Sequence, residues 1–94
     1  MAERAYVYIL ASKPHGTLYI GVTGNLPVRV EQHKAGQVPG FTAKYKVDRL
    51  VWFEGFADVR DAIDREKAMK KWNRKWKIEL VEKSNPKWEE LHPW

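Results

Sequence analysis

The feature that most constrains this chain is a pair of apolar runs flanking a short turn. The runs are Tyr6-Val7-Tyr8-Ile9-Leu10 and Leu18-Tyr19-Ile20-Gly21-Val22, and Pro14-His15-Gly16-Thr17 stands between them. β-branched and aromatic residues favour strands, and Pro and Gly between two such runs favour a reversal. The sequence therefore predicts an antiparallel hairpin. Side chains alternate across a strand, so Tyr6, Tyr8 and Leu10 share one face and Val7, Ile9 and Ala11 the other. In the second run Leu18, Ile20 and Val22 point opposite to Tyr19 and Gly21.

Downstream of the hairpin the chain reads as helices around one further strand. Asn25 suits a helix cap, and Pro27 is tolerated in a first turn whose backbone donors lack partners anyway. That helix is expected to run to Lys34 or Ala35 and to stop at Gly36. Residues 37–47 read as a loop, broken by Pro39-Gly40. Arg49 to Glu54 reads as a third strand ended by Gly55. Asp58 is an N-cap candidate, with Asp61 adding negative charge near the positive end of the helix dipole. Val59, Ala62, Ile63, Glu66 and Met69 then fall on one helical stripe, so a carboxylate sits on an otherwise apolar face. Beyond it lies one bent helix or two, with the break near Asn73. The expected fold class is α+β: a small three-stranded antiparallel sheet flanked by helices. Residues 1–94 are expected to form a single domain, with 85–94 as a packed tail carrying two Pro and two Trp.

Composition removes several function classes. There is no Cys, which excludes disulfides and thiolate zinc sites and favours a reducing compartment, the cytoplasm. The apolar run from Ala5 to Ala11 is too short to span a bilayer and lacks the flanks of a signal peptide. No His-Glu-x-x-His pattern and no Gly-rich phosphate loop is present, and Ser12 and Ser84 sit in no nucleophile elbow. With 17 Lys and Arg against 12 Asp and Glu, the chain carries a formal charge of +5, which suits a polyanionic partner.

Charge and aromatics concentrate in one stretch. Arg65 to Lys77 holds seven basic residues against one acid, Glu66, with Trp72 and Trp76 interleaved. Lys67, Lys70, Lys71, Arg74 and Lys75 are read as a track for a phosphate backbone, extended by Lys44, Lys46 and Arg49. The i, i+4 spacing of the two Trp suits core residues covering the sheet; the alternative stacks them on unpaired bases.

Individually the remaining polar residues are bland. Arg29 and His33, four apart, share one face of a helix and suit a solvated surface. Tyr8 and Tyr19 suit ordinary hairpin packing. Their order says more: Tyr8, ten residues, Tyr19-Ile20-Gly21, Arg29 ten after that Tyr, His33 four later, then Glu66 inside a helix. Across the whole chain this resembles the GIY-YIG nuclease family, in its small stand-alone bacterial form. Tyr6-Val7-Tyr8 stands at the GIY element, with Tyr and Val in place of its Gly and Ile, and Tyr19-Ile20-Gly21 is the YIG element intact.

The resemblance implies an endonuclease that hydrolyses DNA phosphodiesters with one Mg2+ (Mn2+ substituting), by nicking or structure-selected cutting, in repair or recombination. It places the metal on Glu66, a phosphate oxygen on Arg29, and phosphate or proton handling on His33. Tyr8 and Tyr19 are both candidates for the general base, with Tyr8 favoured and Tyr19 orienting the water. Asn85 would brace the site from the tail. RNA remains a second substrate class, and a monomer or weak homodimer is expected. Two competing readings stay open: a nucleic-acid-binding module of the same fold with little turnover, and an interaction protein docking onto a repair assembly or ribosome through its Trp-bearing tail.

Overall fold

The computed structural model describes residues 3–94. Its strands are β1 (Ala5–Ala11), β2 (Leu18–Thr23) and β3 (Arg49–Phe56). Its helices are α1 (Leu26–Lys34), α2 (Phe41–Tyr45), α3 (Val59–Lys70) and α4 (Arg74–Ser84). The sheet is antiparallel in the order β2-β1-β3, so the first strand of the hairpin is central. The α+β architecture anticipated from the sequence is the one observed.

Local chemistry accounts for most boundaries. The side chains of Asn25, Asp58 and Asn73 each accept a backbone N–H from the first turn of the adjoining helix, from Val28, Arg60 and Trp76. The cap at Asn73 settles the long basic segment as two helices. Gly36, at φ 71°, takes the left-handed conformation that ends α1.

Three features differ from the sequence reading. Residues 41–45, expected as loop, form the short helix α2, which starts after Gly40 without a side-chain cap and ends on left-handed Lys46. Strand β3 runs on through Gly55 to Phe56, because Gly55 pairs with Tyr6 and lies beneath the Glu3 side chain. A β-bulge also interrupts the β1–β3 ladder: Ile9 pairs with Trp52 and Leu10 with Leu50, leaving Val51 extra. Strict alternation is lost there, and Val51 and Trp52 both enter the same core cluster.

The sheet separates two apolar layers. Val7, Ile9, Ala11 and Ile20 pack with Ala62 and Met69 of α3, Val81 of α4, and Trp88. On the other face, Tyr8 and Leu10 pack with Leu26 and Val30 of α1, Val47 and Leu50. Beyond α4 the chain returns along β3, an edge strand whose outward carbonyls would otherwise stay open. Leu91 N–H bonds Leu50 O at 2.8 Å, and Asn85 Nδ2 donates to Val51 O at 3.1 Å. Trp88 is buried, its indole N–H on Glu82. Among the described residues no helix is long and apolar enough to cross a membrane.

Candidate active site

The strand pairing explains why the second run contains Gly21. Tyr8 of β1 lies directly opposite Gly21 of β2, and its ring crosses the space a side chain there would fill. A Cβ on Gly21 would come within 2.5 Å of Tyr8 Cζ and 2.9 Å of Cε1, closer than real contacts allow. The glycine is required by close approach, not by turn chemistry.

Laid flat in this way, Tyr8 is fully buried and its hydroxyl reaches His33 Nε2 at 3.1 Å. The opposite ring nitrogen of His33, Nδ1, lies 3.0 Å from Thr42 Oγ1. β1, α1 and α2 thus contribute one group each to a buried polar chain. Tyr19 completes an aromatic triangle, its ring centroid 6.3 Å from Tyr8 and 5.3 Å from His33. Tyr19 is half-buried, so it is the hydroxyl-bearing ring of the pair nearer to solvent. His33, which taken alone suits a solvated helix face, is 3 % exposed. Thr42 satisfies the ring nitrogen that this burial cuts off from water, and the sequence reading, which saw a loop there, missed it. No spacing or motif would have identified it.

Charge converges on the same group. Burial pushes the Tyr8 hydroxyl up to about 12; the Arg29 guanidinium pulls it partly back, while Tyr19 and Glu66 add to the rise. Burial, then Arg29, hold His33 below its usual value, against a smaller opposing effect of Asp48. Both residues are therefore neutral at neutral pH. Arg29 is half-buried and donates Nη1–H to Gln32 Oε1 at 3.2 Å. Glu66 belongs to α3, on the other side of the sheet, yet its charge registers at Tyr8. Its side chain is 13 % exposed and is covered by Lys70 at 2.7 Å, one helical turn on. Tyr8, Tyr19, Arg29 and His33 are thus brought together on the α1 side of the sheet, and Glu66 bears on them from α3 through its charge at Tyr8.

Asn85 stands apart from them. Its carboxamide bonds Val51 O, Glu89 O and the Glu89 N–H, so it braces the bulged strand and the tail.

The basic residues do not form one track. Lys44 and Lys46 belong to the α2 region on the α1 side of the sheet, while Lys67, Lys70, Lys71 and Lys75 lie along α3 and α4 on the other. Arg74 donates to the carbonyls of His15 and Gly16, each at 2.6 Å, and so fastens the hairpin turn. Arg49 donates to Trp88 O at 3.0 Å and holds the tail. Lys70 is paired with Glu66, which leaves Lys67, Lys71 and Lys75 exposed with no ion pair among the described residues. The two Trp divide as well: Trp72 packs against the core under the Arg65 guanidinium, whereas Trp76 is 54 % exposed.

Comparison with known proteins is consistent with this geometry. The family model for the GIY-YIG catalytic domain matches residues 4–79. A UPF0213 protein of Clostridium perfringens is 40% identical over 76 residues, covering 81% of each chain. A UPF0213 protein of Pediococcus pentosaceus is 37% identical over 79 residues, covering 84% of this chain and 82% of its own. Among solved structures, the solution NMR structure of a UPF0213 protein from Bacillus halodurans superimposes with a TM-score of 0.57. It shares 29% identity and covers 92% of this chain and 90% of its own.

Proposed function

From the premise that the chain belongs to the GIY-YIG catalytic domain family, a family of nuclease type, we propose that it is a metal-dependent endonuclease cutting DNA phosphodiesters. The observation that carries this reading is the convergence of Arg29, Tyr8, Tyr19 and His33, with a single shielded carboxylate, Glu66, whose charge bears on Tyr8.

The residues present fit a magnesium ion held mainly by water and substrate. Among the described residues no three His, Cys, Asp or Glu gather into a cage. Mg2+ keeps several waters and takes one or two carboxylates plus substrate phosphate, so Glu66 is a sufficient protein contribution. Lys70, half exposed at the end of α3, would swing from Glu66 to admit the cation. When bound, the ion supplies positive charge at the scissile phosphate and the leaving 3′ oxygen. Mn2+ is expected to substitute.

Arg29 presents a planar fork of donors suited to a phosphate oxygen. Tyr19, at the solvent side of the triangle, orients the attacking water. Tyr8 at about 12 is a poor phenolate, so its part in proton removal needs an acceptor behind it. Lys67, Lys71 and Lys75 hold backbone phosphates, and Trp76 offers a face to an unpaired base. Exposed aromatic and basic groups beside a single site favour nicking or structure-selected cutting, of the kind repair and recombination use.

The test is a cleavage screen across duplex, flap, junction and single-stranded substrates with Mg2+ or Mn2+. Wild type is expected to cut at least one, and Arg29→Ala to cut none while keeping its circular dichroism. No cleavage of any substrate by wild type overturns the reading. One observation favours the non-catalytic alternative: the Glu66–Lys70 pair already neutralises the carboxylate. Lys70→Ala separates the two, raising metal affinity in an enzyme and doing nothing for a pure binder.

A further inference from the structure

We infer that Thr42 is a positioning residue for this chemistry: its hydroxyl fixes His33 as the Nδ1–H tautomer, leaving Nε2 open to take the Tyr8 proton. The inference rests on the endonuclease reading.

Three facts carry it. Tyr8, His33 and Thr42 are 0%, 3% and 3% exposed, so water does not settle which group donates. Tyr8 Oη lies 3.1 Å from Nε2, and Thr42 Oγ1 lies 3.0 Å from Nδ1. A neutral imidazole has one N–H, placed by whatever its other nitrogen meets. A buried phenol must donate its proton or leave it unsatisfied, and Nε2 is the acceptor within reach. Nδ1 must then carry the hydrogen, and Thr42 Oγ1 receives it.

The consequence is a proton path that avoids a free phenolate. The attacking water has to reach Tyr8 Oη from the Tyr19 side, the solvent side of the triangle. As its oxygen bonds phosphorus, its proton passes to Tyr8 Oη, and the proton Tyr8 held passes to Nε2. The P–O3′ bond breaks, and the leaving oxygen takes a proton from solvent. The imidazolium, with Nδ1–H still on Thr42, returns its Nε2 proton through Tyr8 to solvent. Groups bearing on His33 are Arg29 from α1, Asp48 ahead of β3, Tyr8 from β1 and Tyr19 from β2. Arg29 opposes the imidazolium and Asp48 supports it, so the transferred proton is held only briefly.

The experiment pairs imidazole 15N NMR with cleavage kinetics for wild type, Thr42→Val and Thr42→Ser. Wild type should show His33 as the Nδ1–H tautomer, and Thr42→Val, which leaves that N–H buried without a partner, should shift the population toward Nε2–H. Thr42→Val should also lower kcat by roughly 10²-fold with KM unchanged, general acid–base assistance contributing roughly 10²–10⁴-fold. Thr42→Ser, which keeps the acceptor, should restore both. An Nε2–H tautomer in folded wild type, or full kcat in Thr42→Val, overturns the assignment. Wild type that cuts nothing overturns instead the endonuclease reading, and the catalytic role of Thr42 with it, whatever tautomer is seen.

Discussion

Replacing Gly21 with Ala tests whether the close approach of two strands builds the site. The added Cβ would meet the hydroxyl end of the Tyr8 ring, with Cζ at 2.5 Å and Cε1 at 2.9 Å. Tyr8 is 0% exposed and packed against Leu26, Val30, Val47 and Leu50, so it cannot rotate away without opening that layer. Forcing one methyl into a filled core costs about 1–3 kcal/mol. Displacing the hydroxyl from His33 leaves a buried donor and acceptor unmatched, for about 1–3 kcal/mol more. The sum is about 2–6 kcal/mol, large against the ~5–15 kcal/mol by which domains are stable. Urea denaturation should show a lower midpoint at unchanged slope. Adding Tyr8→Phe should rescue little, because the clash with ring carbons remains once the hydroxyl is gone. Gly21→Ala within about 0.5 kcal/mol of wild type would refute the argument, as would full rescue by the Phe variant.

Acid should act on stability through His33. Its folded value lies below the usual 6.5, so the unfolded chain takes the proton first and unfolding free energy falls as pH drops below about 6.5. Asp58 and Glu90, whose carboxyls are held below their usual values by Arg60 and Lys34, lose their contribution only at lower pH. Denaturation between pH 7.5 and 5 should therefore show a slope that His33→Gln removes. The two Trp should separate cleanly: Trp88→Ala costs about 3–5 kcal/mol. Trp76→Ala costs within about 0.5 kcal/mol but weakens single-strand binding by about 1–3 kcal/mol in a fluorescence titration. Lys67→Ala, Lys71→Ala and Lys75→Ala should each reduce the slope of log affinity against log salt by about 1, with stability unchanged.

The sequence disclosed whatever local chemistry encodes. The hairpin, β3 and α3 arise from residue preference and periodicity, and Asn25 and Asp58 announce helix starts, while Asn73 reads only as a possible break. The catalytic candidates were legible as an ordered pattern, though nothing in Tyr8 or His33 alone marked them. The features that stayed hidden depend on partners distant in the chain. Helix α2 has five residues and no side-chain cap, so its existence owes more to Thr42 meeting His33 than to preference. Arg74 and Arg49 looked like phosphate ligands because charge is visible in a sequence and carbonyl partners are not. Asn85 looked like a site residue for the same reason, and its amide serves the edge of β3. Val51 and Trp52 facing one layer could not be read either, since a bulge is a property of the pairing.

The central claim is that Glu66, the shielded carboxylate whose charge bears on Tyr8, makes this chain an enzyme. Glu66→Gln keeps size and hydrogen bonding while removing the charge, so it isolates that carboxylate from the fold. Nicking rates on supercoiled plasmid, titrated with Mg2+, should rise and saturate for wild type. For Glu66→Gln they should fall by at least roughly 10²-fold at every concentration, with unchanged DNA affinity. Equal rates for the two proteins would contradict the account.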